Sequence, residues 1–159
     1  QKAADQGDAN GQANLGILYA RLGSMYDTGK GVPKDEAKAV EWFQKAADQG
    51  DAEGQVNLGF IYAYGKGVFK DEAKAVEWYQ KAAAQGNAFA QSSLGSIYAA
   101  GRGVPKDDVR AYAWLNLAAA QNDANAAKQR DEIEARMTVE QKAEAQKLSA
   151  EMFARMPKK

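Results

Sequence analysis

Cysteine and histidine are both missing from the 159 residues. The first absence removes any disulfide framework and leaves the redox compartment unmarked. The two together exclude zinc sites of the usual kind and histidine-based acid–base catalysis. Neither sign of charge is in excess. Lys+Arg and Asp+Glu both total 21, which argues against a broad basic surface for nucleic acid. No apolar run approaches the roughly 18–20 residues needed to cross a bilayer, so no membrane insertion is expected. Strand patterns are wanting too. Alternating β-branched and aromatic runs do not occur, and Ala, Glu, Lys, Gln and Leu dominate, a composition of helices.

What is present instead is repetition. Asp71–Gly86 repeats Asp35–Gly50 with changes only at Tyr79 for Phe43 and Ala84 for Asp48, and recurs more loosely at Asp107–Asn122. Trp42, Trp78 and Trp114 stand 36 residues apart. A fixed period in the range of about 20–50 residues signals stacked units. The chain opens at Gln1–Gly7, which matches Gln44–Gly50 residue for residue. Residues 1–7 therefore read as the tail of a preceding repeat, and the chain as a fragment of a longer protein or one that has lost a leader. Residues 8–50, 51–86 and 87–122 form three repeats, and 123–159 form a helical cap.

Each repeat divides into two helices. The second carries apolar residues at i, i+3, i+4 and i+7: Ala39, Trp42, Phe43 and Ala46, then Ala75, Trp78, Tyr79 and Ala82, then Ala111, Trp114, Leu115 and Ala118. That spacing is one helical face, and three tryptophans at one period are core. Asp35, Asp71 and Asp107 sit where an N-cap belongs. Gly50, Gly86 and Asn122 sit where a left-handed residue closes the helix, each followed at once by a fresh N-cap in Asp51, Asn87 or Asp123. Such short turns make consecutive helices antiparallel. The first helix carries Leu58-Gly59-x-x-Tyr62 and Leu94-Gly95-x-x-Tyr98. A mid-helix glycine costs roughly 1 kcal/mol against alanine, so its recurrence implies close approach of a neighbouring helix. Gly29-Lys-Gly31-Val32, Gly65-Lys-Gly67-Val68 and Gly101-Arg-Gly103-Val104 follow as turns, with the valine tucked beneath.

The first repeat spans 43 residues and duplicates the helix signature at Leu15-Gly16-x-x-Tyr19 and Leu22-Gly23-x-x-Tyr26. Seven residues leave a helix only ~20° short of two full turns, so the insertion lengthens the first helix without turning its apolar stripe. At the other end Leu58 and Gly59 are replaced by Arg130 and Asp131. Thr138-Val-Glu-Gln141 forms a capping box that starts a last amphipathic helix, with Ala145, Leu148 and Met152 inward. Ala113 and Leu117 stand where the second repeat has Glu77 and Lys81. Together these changes cover the last apolar face, as repeat arrays require. The basic end, Arg155 to Lys159, reads as a frayed tail. Phe69, a lone aromatic where the other repeats have Pro33 and Pro105, either caps the local core or is a sticky contact.

The pattern Leu-Gly-x-x-Tyr, then Gly-x-Gly-Val, then Lys-Ala-x-x-Trp-Tyr/Phe-x-Lys-Ala-Ala-x-Gln-Gly resembles the Sel1-like repeat, over about residues 1–123. The resemblance implies an all-α fold: a right-handed, tetratricopeptide-like α/α solenoid of antiparallel helix pairs with a C-terminal helical cap. It also implies a non-catalytic scaffold, needing no cofactor, whose concave face binds a protein or peptide. Many bacterial members work outside the cytoplasm, which favours a periplasmic or secreted location. Some members carry a disulfide in each repeat; this chain has none.

Three look-alikes of active sites have plainer readings. Gly29-Lys30-Gly31 lacks the spacing, the Ser/Thr and the strand of a phosphate loop. Paired carboxylates at Asp35/Glu36, Asp71/Glu72 and Asp107/Asp108 recur at helix starts, where capping and the helix dipole favour them. No serine has a lysine three residues on, as penicillin-recognising enzymes require. Neither catalytic nor metal-ligating residues are assigned.

Binding residues are sought where repeats differ, on the first helix of each. These are Asn14, Ile17 and Arg21; Asn57, Phe60 and Tyr64; and Phe89, Ser93 and Ser96. The aromatics would anchor a partner, and Asn14 and Asn57 would bond a peptide backbone. The plainer reading packs Phe60 and Phe89 against a neighbouring helix and leaves the polar positions solvated. A glycan or small molecule, for instance a cell-wall fragment, is the alternative ligand, since the same aromatics could stack on sugar faces. Self-association through the first helix is a further expectation.

Overall fold

The computed structural model describes residues 2–157, with side chains from residue 15 onward. Eight helices and no strand are found among them: α1 (Lys2–Thr28), α2 (Glu36–Asp48), α3 (Ala52–Tyr64), α4 (Glu72–Ala84), α5 (Ala88–Ala100), α6 (Asp108–Ala119), α7 (Ala124–Glu134) and α8 (Val139–Arg155). They form two compact units, Gln1–Trp78 and Tyr79–Lys159.

From α2 onward each helix begins where the sequence places a capping residue. Asp35, Asp51, Asn87, Asp107 and Asp123 accept a hydrogen bond from a backbone N–H of the first turn, and Asp71 accepts one from Lys74 N at 2.9 Å. Asn122 takes a left-handed φ of 68° in the place that Gly50 and Gly86 hold in the earlier repeats, a conformation open to asparagine at modest cost. The capping box of α8 is complete, with Thr138 and Gln141 bonded reciprocally.

In the first unit α1 and α2 run antiparallel, and α3 returns against both. Ala39, Phe43, Ala47, Leu58 and Ile61 form the buried cluster, with Tyr26, Val40, Tyr62, Val68 and Trp78 packed around it. The second of the two duplicated signatures takes the common register. A Cβ on Gly23 would lie 2.7 Å from the Phe43 ring, so the glycine admits that ring. The backbone bond from Asp35 N to Tyr26 O, at 2.9 Å, is reproduced from Asp71 to Tyr62 in this unit and from Asp107 to Tyr98 in the other. The first signature lies beyond the main contact: Gly16 meets the Cβ atoms of Gln49 and Asp51, while Leu15 and Leu18 are exposed.

Three expectations are modified here. The helix continues from Lys2 through Gly7 and Asp8 instead of breaking there. The Ala and Gln residues that flank Gly7 are good helix formers and carry the helix through it. Trp42 and Trp78 are half-buried rather than core; the Trp42 ring lies near that of Tyr19 at 5.5 Å and is covered by the Lys45 ammonium at 4.0 Å. Phe69 is 97% exposed and caps no core.

In the second unit α6 is the central helix, packed by α5, α7 and α8. Ala113 and Leu117 are buried, as the loss of Glu and Lys at these positions requires. α7 keeps part of a first-helix face: Ala126 and Ile133 are buried at the positions of Ala90 and Ile97. Arg130 and Asp131, which replace the Leu-Gly pair, bond each other, and Arg130 Nη1 donates to Asn116 Oδ1 at 3.2 Å. On α8 Ala145 is buried, and so is Ser149, whose Oγ accepts from Asn116 Nδ2 at 3.0 Å. Arg155 belongs to the last turn of α8 rather than to a frayed tail.

Gly95 repeats the Gly23 arrangement, its missing Cβ occupied by the Leu115 side chain. Gly95→Ala gains about 1 kcal/mol of helix propensity, but Leu115 is 0% exposed and has nowhere to move. Overpacking of about 1–3 kcal/mol wins, and urea denaturation should show a net loss of stability. Equal or greater stability would contradict the close-approach account.

Candidate functional site

The expected binding residues divide between the two units. In the first, Phe60 and Tyr64 of α3 are one helical turn apart, with ring centroids at 4.5 Å. Lys66, which follows the Gly65 turn, places its ammonium 4.9 Å from the Phe60 centroid. Tyr64 is 65% exposed, and Phe60 is half-buried. The left-handed Gly65 ends α3 directly after Tyr64, its N–H bonding Ile61 O, so the turn itself brings Lys66 back over the ring. Asn57, one turn before, spends its amide N–H on Glu53 O at 2.9 Å; its amide oxygen is left to accept. Ile17 and Arg21 of α1 are exposed. The side chain of Asn14 lies outside the described residues.

In the second unit the expected residues do not gather. Phe89 is 56% exposed and places its ring 6.4 Å from that of Tyr79. Ser93 is half-buried on α5. Ser96 donates to Gln129 Oε1 of α7 at 2.7 Å, so its hydroxyl belongs to the contact that holds the cap.

A feature common to the repeats was missed in the residue pattern. The tyrosines of the three Leu-Gly-x-x-Tyr motifs that share the 36-residue register each face a cation of the next helix: Lys38 at 5.5 Å from Tyr26, Lys74 at 5.2 Å from Tyr62, and Arg110 at 5.6 Å from Tyr98. The signal was available, because motif and cation share the 36-residue period. Also missed was a cavity of about 430 Å³ beside α8, floored by Trp114, Leu148 and Met152. Leu148 and Met152 are half-buried for that reason, rather than fully inward.

No cluster of three metal-ligating side chains occurs among the described residues, and none of their helices is long and apolar enough to cross a membrane. The main perturbed pair is structural. Arg136, in the turn before α8, donates to both carboxylate oxygens of Asp108 at 2.9 and 2.6 Å. These hydrogen bonds hold the Asp108 carboxyl below its ordinary 3.8, against the opposing effect of burial.

Comparison with known proteins places these features. The Sel1 repeat family model matches residues 1–8, 9–51, 52–87 and 88–123. The chain belongs to the Sel1 repeat family. Among solved structures it is similar to c5321, a protective antigen present in uropathogenic Escherichia coli strains that displays an SLR fold. The two are 44% identical with a TM-score of 0.72, over 97% of this chain and 32% of that one. It is also similar to a Sel1 repeat protein from Oxalobacter formigenes, at 38% identity and a TM-score of 0.69, over 74% of this chain and 48% of that one. Helicobacter pylori cysteine rich protein B shares the fold, at 24% identity and a TM-score of 0.62, over 76% of this chain and 93% of that one. The chain thus spans about a third and about half of the first two proteins. No curated protein matches it. As in these relatives, the fold class is an all-α solenoid. Sel1 repeat proteins are generally non-catalytic scaffolds for protein interaction.

The Asp108–Arg136 pair makes stability depend on acid. Because the folded carboxyl titrates below its ordinary 3.8, its contribution is complete above that value and is lost as pH falls through the lower folded value. Asp108→Asn should cost about 0.5–1 kcal/mol at pH 7 and flatten that part of the acid-unfolding curve. Urea midpoints measured from pH 7 to pH 2 would reveal this; superimposable wild-type and variant profiles would refute it.

Proposed function

We propose that this Sel1 repeat chain is a non-catalytic scaffold that binds a protein or peptide through the concave face formed by its first helices, with Phe60 and Tyr64 as anchors. The supporting observation is the stacked pair on α3, 4.5 Å apart with Tyr64 65% exposed. Aromatics that are rigid and already partly desolvated lose little entropy on binding and are favoured as interface hot spots. The free amide oxygen of Asn57 suits a peptide N–H, and Arg21 adds a cation. In the second unit Phe89, Ser93 and Ser96 remain candidates of lower weight, since Phe89 leans on Tyr79 and Ser96 is spent on Gln129. The balance of Lys+Arg against Asp+Glu, 21 each, favours a protein over nucleic acid.

A cell-wall glycan is the second reading, because the same exposed ring of Tyr64 could stack on a sugar. Self-association also has a specific observation behind it. Leu15 and Leu18 of α1 are 38% and 52% exposed, whereas Leu58 and Leu94 of the later repeats are fully buried.

Peptides selected by display against the whole chain provide the test, with affinity measured by calorimetry. Phe60→Ala together with Tyr64→Ala should weaken binding by about 2–4 kcal/mol, at unchanged circular dichroism. Unchanged affinity would move the site elsewhere. A thermal shift produced by muropeptides and abolished in the same variant would favour the glycan. For self-association, sedimentation over a wide concentration range should show reversible mass growth that Leu15→Glu and Leu18→Glu remove. A single monomeric species at all concentrations would exclude it.

A further inference from the structure

The cavity beside α8 is lined by none of the expected binding residues. It is walled by α4, α5, α6 and α8, and holds about 430 Å³, within the range of small-ligand pockets. Its floor is apolar: Trp114, only 9% exposed, with Leu148, Met152 and Met156. Its polar groups are few. Gln80 Nε2 donates to Tyr98 Oη at 3.1 Å, which leaves the Tyr98 hydroxyl its own proton to give. Arg110 and Arg155 complete the wall, and no carboxylate lines it. Arg110 is partly neutralised by Asp107, at 3.3 Å. Arg155 has no ion-pair partner among the described residues.

We infer that this cavity receives the C-terminus of a polypeptide with apolar last residues. The charge decides the orientation. An apolar pocket with an unpaired guanidinium at its edge suits a ligand that is greasy on one side and carboxylate-bearing at its end, and arginine matches a carboxylate in two-pronged geometry. The remaining polar groups separate a peptide from a simple fatty acid. The Tyr98 hydroxyl and Gln80 amide can bond the last peptide groups, whereas an alkyl chain would desolvate both without return. The side chain of the last residue would rest on Trp114 and Met152. α8 completes this pocket, whose Arg110 stands where the earlier repeats have Lys38 and Lys74.

The test is a ¹H–¹⁵N NMR titration of the whole chain with acetyl-Ala-Leu-Phe as the free acid, as its C-terminal amide, and with sodium octanoate in parallel. The acid should shift the Trp114 indole N–H and the α8 amides near Met152 and Arg155, and bind about tenfold more tightly than the amide. Arg155→Gln, at an exposed position that the fold does not need, should erase that difference. The inference is overturned by any of four results: no shift up to about 5 mM peptide, weaker than the poorest binding of interest; equal binding of acid and amide; an acid preference that survives in Arg155→Gln; or octanoate binding more tightly than the peptide.

Discussion

A glycine facing a bulky side chain is the contact on which the α1–α2 and α5–α6 pairs depend. Gly23 admits the Phe43 ring, and Gly95 admits Leu115. Both partners are essentially unexposed, so the two helices can approach only where a Cβ is missing. The cost of glycine in a helix, about 1 kcal/mol, is offset by the burial of a large apolar side chain, worth roughly 1.5–3 kcal/mol. Once that distance is set, the remaining contacts follow. The Asp35 N–H reaches Tyr26 O, the loop glycines take left-handed φ, and a cation of the second helix comes to rest over the same tyrosine.

How the second unit ends follows from the same constraint. α7 keeps Ala126 and Ile133 to cover α6, but replaces the Leu-Gly pair with Arg130 and Asp131, so no further helix can pack on it in the same manner. α8 then covers the rest of α6, using Ser149 to satisfy Asn116. Between α8 and the residues of α4, α5 and α6 that it faces there remains the cavity lined by Trp114.

Much of this was legible in the residues. Helix ends were, because aspartate, asparagine and glycine act through backbone geometry that needs no distant partner. The aromatic pair on α3 was only half legible. Phe60 and Tyr64 are spaced to share a face, but the placement of Lys66 over Phe60 depends on how the Gly65 turn redirects the chain. Ser96 looked like a groove residue until α7 arrived to accept its proton. Trp42 looked like core by its period, yet Lys45 and Tyr19 cover it instead of buried neighbours.

The sequence by itself determined the period, the helix boundaries and the register of the glycine contacts. Each is written in local steric and hydrogen-bonding preferences, and the 36-residue repeat states them three times over. Only the tertiary structure decided which of the duplicated signatures in α1 would pack, with Gly23 against Phe43 while Leu15 and Leu18 stay in solvent. It also decided that α8 would enclose a cavity edged by Arg110 and Arg155. Both outcomes rest on contacts between residues far apart in the chain. No periodicity encodes which of two equivalent faces finds a partner, or how well a cap fits the surface it covers.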